Sequence, residues 1–168
     1  MRQLLTLVAS LLVATTAMAQ TVPQAKTTAA DADFVRRASS AGLTEIAMGK
    51  LAADQASSKD VKEFATRMVT DHTRNNEALG KLAGSKGLQI AVAPEPAQQQ
   101  TIDKLKNLQG GDFDRAYSDA VVKDHKMVTG LYDLEADKGQ DTEVRDFARG
   151  TLPMLKEHGK LADSLPPL

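Results

Sequence analysis

The chain has 168 residues, a formal net charge of −1, 26% charged and 4% aromatic residues, three His and no Cys or Trp. One domain is the natural division at this length. The lack of Cys excludes disulfides, thiolate metal ligands and a thiol nucleophile, and the neutral balance with few aromatics excludes a dedicated nucleic-acid binder.

The first residues read as a secretory signal peptide. Met1-Arg2 gives a basic start, Leu4 to Ala14 is almost wholly apolar, and Ala17-Met18-Ala19 matches an A-x-A cleavage pattern. The run is shorter than the roughly 20 residues that span a bilayer, and no Cys follows it to carry a lipid. Residues 1–19 are therefore expected to be removed near Ala19, leaving an exported periplasmic or secreted protein without a transmembrane segment. Residues 20–30, rich in Pro, Thr and Ala, read as a flexible lead-in.

The remainder, residues 31–165, reads as helices, because β-branched and aromatic residues are sparse and no period-2 run occurs. A first helix is expected from Asp31 or Asp33, either a good N-cap, to about Ala56. A second follows Ser58 and stops at Gly87. Pro94 and Pro96 mark a connection, and a short helix from about Ala97 to Leu108 precedes Gly110-Gly111. A third long helix, capped by Asp112, ends at Gly139. The last begins near Asp141 or Thr142, ends before Ser164, and carries Pro153, which should kink or bulge it. Residues 51–65 and 134–148 repeat at a constant offset of 83, with Leu, Ala, Asp, Val, Phe and Ala identical. Each window spans a helix end, a turn and the next helix start. Two duplicated hairpins joined by a long crossover with an extra short helix give an all-α, ferritin-like four-helix bundle.

All three histidines fall on apolar stripes, since residues at i±3, i±4 and i±7 share a helix face. His72 sits with Phe64, Met68 and Leu79; His125 with Val121, Val128 and Tyr132; His158 with Leu155, Leu161 and Ala162. Glu45 lies with Ala38, Ala41, Met48 and Ala52, so its carboxylate points inward and needs a partner. Counted from the two turns, Glu45, His72 and His125 lie roughly 18–22 Å down their helices and His158 roughly 27 Å, a distance the Pro153 distortion could shorten. Four helices thus send Glu45, His72, His125 and His158 towards one layer. Imidazoles and a carboxylate suit a single transition-metal ion, Fe, Zn, Mn or Cu. A metal-free hydrogen-bonded polar core uses the same residues and stays open. Asp71 and Asp124 each precede a histidine and are either flanking ligands, groups that hold a neighbouring imidazole, or solvent-facing.

Other features are bland. Met48, Met68, Met127 and Met154 read as core filler, and Gly42, Gly49 and Gly130 as points of close helix approach. No Ser lies in a nucleophile elbow and no Gly-rich loop carries a phosphate-binding Lys, so no catalytic residue is assigned. Enzyme status, a protein partner and a homo-oligomer are left open.

Leu43-Thr-Glu45-Ile-Ala-Met-Gly-Lys-Leu-Ala52, Val61-Lys-Glu-Phe-Ala65, Met68-Val-Thr-Asp-His72, Asp112-Phe-Asp114, His125 and Leu152-Pro-Met-Leu-Lys-Glu-His158 together resemble the bacterial domain-of-unknown-function family 4142, often labelled as outer membrane proteins. The resemblance covers about residues 31–165. It implies an exported protein with a ferritin-like fold and supplies no reaction. The Glu-x-x-His motif of di-iron ferritin-like proteins is missing, because Val69, Val122 and Leu155 stand three residues before the histidines. A mononuclear site, a stress-related role, a metal-free interaction bundle, or a metal-dependent oxidoreductase acting on dioxygen or peroxide fit this pattern.

Overall fold

The computed structural model describes residues 26–165; the expected signal peptide and residues 20–25 of the lead-in lie outside them. Five helices form the domain: α1 (Ala29–Gln55), α2 (Lys59–Lys86), α3 (Pro96–Lys106), α4 (Gly110–Lys138) and α5 (Thr142–Asp163). Ser58 and Asp141 cap α2 and α5 as expected, and Gly87, at φ +66°, takes the left-handed position that ends α2. Two starts differ. Thr28 caps α1, with Asp31 at the third helical position completing a capping box, so the helix reaches into the expected lead-in. Gln109 precedes α4, whose first residue is Gly110 at φ +58°, so Asp112 lies inside its first turn and does not cap it. Helix α5 continues through Pro153. Pro153 has no N–H to donate to the Arg149 carbonyl.

Helices α1 and α2 form one hairpin and α4 and α5 the other, with α1 beside α4 and α2 beside α5. The α2–α4 connection runs the length of the bundle. Its start is tied to the first half of α1, where Ser39 Oγ and Ser40 Oγ accept the N–H groups of Ala91 and Glu95. Its end is tied to the last residue of α1, where Gln55 Nε2 donates to the carbonyls of Lys106 and Leu108.

The repeat reappears as reciprocal clamps. Asp114 accepts the N–H groups of Ser57 and Ser58 and the Ser57 hydroxyl, holding the α1–α2 turn. Asp31 accepts the N–H groups of Gln140 and Asp141, holding the α4–α5 turn. Asp31 and Asp114 are themselves 83 residues apart, as are the turn residues they hold. Each hairpin's first helix therefore secures the other hairpin's turn, and the turns lie at opposite ends of the bundle. Gly49 lets α1 approach α2, because a Cβ there would lie 2.7 Å from Val69 Cγ2 and 3.0 Å from the Ala65 carbonyl. Gly42 packs on Asn76 in the same way, whereas Gly130 touches no neighbouring helix.

Two apolar clusters fill the interior. Met48, Ala52, Phe64, Met68, Tyr117, Val121 and Ala162 belong to one. Phe34, Ala41, Leu79, Val128, Tyr132 and Leu155 belong to the other. Along each long helix the change of cluster falls at one polar residue: Glu45 between Ala41 and Met48, His72 between Met68 and Leu79, His125 between Val121 and Val128, His158 between Leu155 and Ala162. A polar layer thus divides the core at mid-height. Met127 is not core filler: it is 56% exposed on α4.

Candidate metal centre

The three imidazoles come from α2, α4 and α5 and are at most 3% exposed. Their ring centroids form a near-equilateral triangle with sides of 5.4, 5.6 and 5.7 Å. One ring nitrogen from each lies within 4.8 Å of those of the other two. The convergence has a simple geometric origin. The turns mark opposite ends of a bundle roughly 40 Å tall, the length of a 27-residue helix. Residues about 20 Å from either turn therefore meet in the middle.

Hydrogen bonds decide which nitrogens face the centre. His125 Nδ1 lies 2.9 Å from the Val121 carbonyl, which only accepts, so Nδ1 carries the proton and Nε2 keeps its lone pair. His158 Nε2 lies 2.9 Å from Asp71 Oδ2, which likewise leaves the lone pair on Nδ1. His72 Nε2, His125 Nε2 and His158 Nδ1 are buried without a hydrogen-bond partner. An orphaned buried polar atom costs about 1–3 kcal/mol, and a cation would satisfy all three at once. Burial lowers the pKa of each imidazole; that of His72, beside the other two rings, falls to about 3. The neutral form, the one that ligates a metal, is therefore favoured.

The remaining expected ligands surround this triad and do not join it. Glu45, 1% exposed, places Oε1 3.4 Å from His125 Nδ1, on the side of the ring away from the free nitrogen. Burial and the neighbouring Asp124 carboxyl push the Glu45 pKa well up. Neither Glu45 oxygen has a hydrogen-bond partner, so its carboxyl is buried against Asp124 without a donor to hold its charge. Asp124, 6% exposed, lies against Glu45 and Gln98. Asp71 is half-buried and anchored by Arg67 as well as His158. Neither aspartate simply faces solvent. Two contributors escape sequence reasoning. Tyr117, wholly buried beside Glu45 with its hydroxyl unpartnered, reads as an ordinary core aromatic. Gln98, which bonds Asp124 and accepts the Ser40 hydroxyl, sits in a polar run of α3 with no pattern to mark it.

Fold and site together define a helical-bundle protein whose buried tri-histidine centre could hold a metal ion. Residues 16–165 match the family described as a domain of unknown function, DUF4142, and the chain belongs to that family. Among solved structures it is similar to a candidate secreted DUF305 protein from Streptomyces coelicolor (TM-score 0.68, 15% identity, 79% of this chain and 88% of that one). A DUF305 fragment from Deinococcus radiodurans is also similar (TM-score 0.72, 12% identity, 82% and 95%). At these identities the likeness is one of fold. Comparison with curated proteins finds no match. Among the described residues, no helix is long and apolar enough to cross a membrane.

Proposed function

We propose that this chain is an exported, ferritin-like helical protein that holds one first-row transition-metal ion (Fe, Zn, Mn or Cu) on His72, His125 and His158. One observation carries the reading: three neutral imidazoles, each with a buried ring nitrogen that has no hydrogen-bond partner, meet in a buried layer where hydrogen bonds to Val121 and Asp71 aim two of them. Glu45 and Asp71 serve as supports that orient His125 and His158. The signal-peptide pattern of residues 1–19 supports export. Binding, with a stress-related role, is the reading that the buried position of the three imidazoles supports. Titration of the purified protein with each ion, followed by elemental analysis, tests the reading. One equivalent is expected, and His72→Ala or His125→Ala should abolish it. Binding below stoichiometry would leave a metal-free polar layer instead.

A second reading, a metal-dependent oxidoreductase acting on dioxygen or peroxide, is favoured by the ligand count. Three protein ligands leave a position open on a four-coordinate ion. Peroxide consumption by the loaded protein, absent from the His72→Ala variant, would support it.

A further inference from the structure

Among the described residues, the large apolar side chains that stand exposed are Ile90 and Val92 on the α2–α3 connection and Met127 and Leu134 on α4. Met127 is 56% and Leu134 62% exposed, and their spacing of two helical turns puts them on one face. Gly130 stands between them, also exposed, and a Cβ there would meet no atom within 4 Å. A glycine inside a helix costs about 1 kcal/mol against Ala, and no packing contact within the chain accounts for this one. Each flank of the face borders a depression, with Asp124 in the wall of one and His125 in the wall of the other, so the face forms a ridge between them. Charge along the ridge is segregated. Lys123 and Lys126 precede Gly130, Asp133 and Asp137 follow it, and all four are exposed. Neither lysine makes an ion pair among the described residues.

We propose that two copies of the chain pair through this face, α4 against α4 in antiparallel sense, about a twofold axis that passes beside Gly130. A twofold interface must be complementary to itself, and the order of residues here is. Residues equally far before and after Gly130 come opposite each other, to within one position. Lys123 then meets Asp137 of the second copy, Lys126 meets its Asp133, and Met127 packs beside its Leu134. The absent side chain at Gly130 lets the two backbones approach at the axis, which brings the apolar side chains into contact. A parallel pairing would set lysine against lysine and aspartate against aspartate. Asp133 and Asp137 already touch Lys156 and Lys138 within the chain, but both pairs are at least half exposed. Such pairs hold a carboxylate weakly and leave it open to a second cation. One helix face is a small interface, so association in the micromolar range is expected. No histidine takes part, so the pairing is independent of the metal-binding reading.

Sedimentation equilibrium of the purified protein across the micromolar range tests this. A monomer–dimer equilibrium is expected, the same with and without a chelator. Leu134→Glu, at an exposed position, should weaken association about tenfold or more and leave thermal melting of the monomer unchanged. Lys123→Asp should also weaken it, by setting like charges opposite each other. Adding Asp137→Lys to that variant should restore it, because both charges are then exchanged. The chain has no Cys, so Gly130→Cys supplies a single thiol at the axis. Mild oxidation should convert that variant to a covalent dimer, whereas Thr66→Cys, exposed on α2, should stay monomeric. A protein that is monomeric at every concentration would leave this face to a different partner and overturn the proposal. So would association that Leu134→Glu leaves intact, or a loss in Lys123→Asp that Asp137→Lys does not repair.

Discussion

At the residue scale, the work of the polar layer is tautomer control. A free histidine places its proton on either ring nitrogen, whereas His158 is committed by Asp71 at 2.9 Å and His125 by the Val121 carbonyl at 2.9 Å. Both lone pairs then turn to the same point. Removing Asp71 leaves the ligands in place but frees the His158 ring and its proton. Asp71→Ala is accordingly expected to weaken metal binding by about 10–100-fold. The half-buried position of Asp71 means that the metal-free protein should lose little stability. Competition with a chelator of known affinity checks the first outcome, and thermal melting of the metal-free variant checks the second. A larger loss of stability than of affinity would mean that Asp71 holds the fold and not the ring.

At the element scale, the helix ends carry unusual charge. The α4–α5 turn gathers Asp31, Glu135 and Asp141, all buried, with Lys86 bridging Asp141 and Glu143 at 2.8 and 2.6 Å. Burial opposes ionisation of Asp141, but Lys86, Thr27 and the Val144 N–H outweigh it and bring its pKa down to about 2. Glu135 goes the other way. Burial first, then Asp31 and Asp141, raise its pKa from 4.5 to about 7. A carboxyl whose pKa is raised by folding binds its proton more tightly in the native state. Its favourable contribution is complete below pH 4.5 and is lost as pH rises through about 7. Glu135→Gln should therefore stabilise the protein by about 2 kcal/mol at pH 8 and change little at pH 4.5. Denaturant melts of both proteins across this range decide it, and a constant difference at all pH values would show that the carboxyl does not titrate on folding.

At the scale of the whole molecule, the site belongs to neither hairpin. His72 comes from the first, His125 and His158 from the second, and the Asp31 and Asp114 clamps tie each hairpin to the other's turn. A bound ion would then stabilise the assembled bundle and not one half. At 100 times its Kd it should add about 2.7 kcal/mol, visible as a rise in Tm of a single cooperative transition. His72→Ala and His158→Ala, one in each hairpin, should each erase that rise. A metal-induced rise that survives either substitution would place the ion elsewhere.

The sequence by itself determined the helices, the two hairpins and the inward faces of Glu45, His72, His125 and His158. All of these follow from local periodicity, caps and an 83-residue repeat, which a linear reading captures. It erred at helix starts: the Thr28 capping box depends on Asp31, whose carboxyl also serves a turn more than 100 residues away. It treated Met127 as core because a stripe on one helix does not say whether a neighbour covers it. Only the tertiary structure decided that the histidines form the triad while Glu45 stands behind His125, and that Asp124 faces a cavity. Helical spacing fixes the direction of a side chain to within a face. Which nitrogen or oxygen meets which depends on interhelical distance, rotamer and hydrogen bonds between segments far apart in the chain, and those exist only once the bundle has packed.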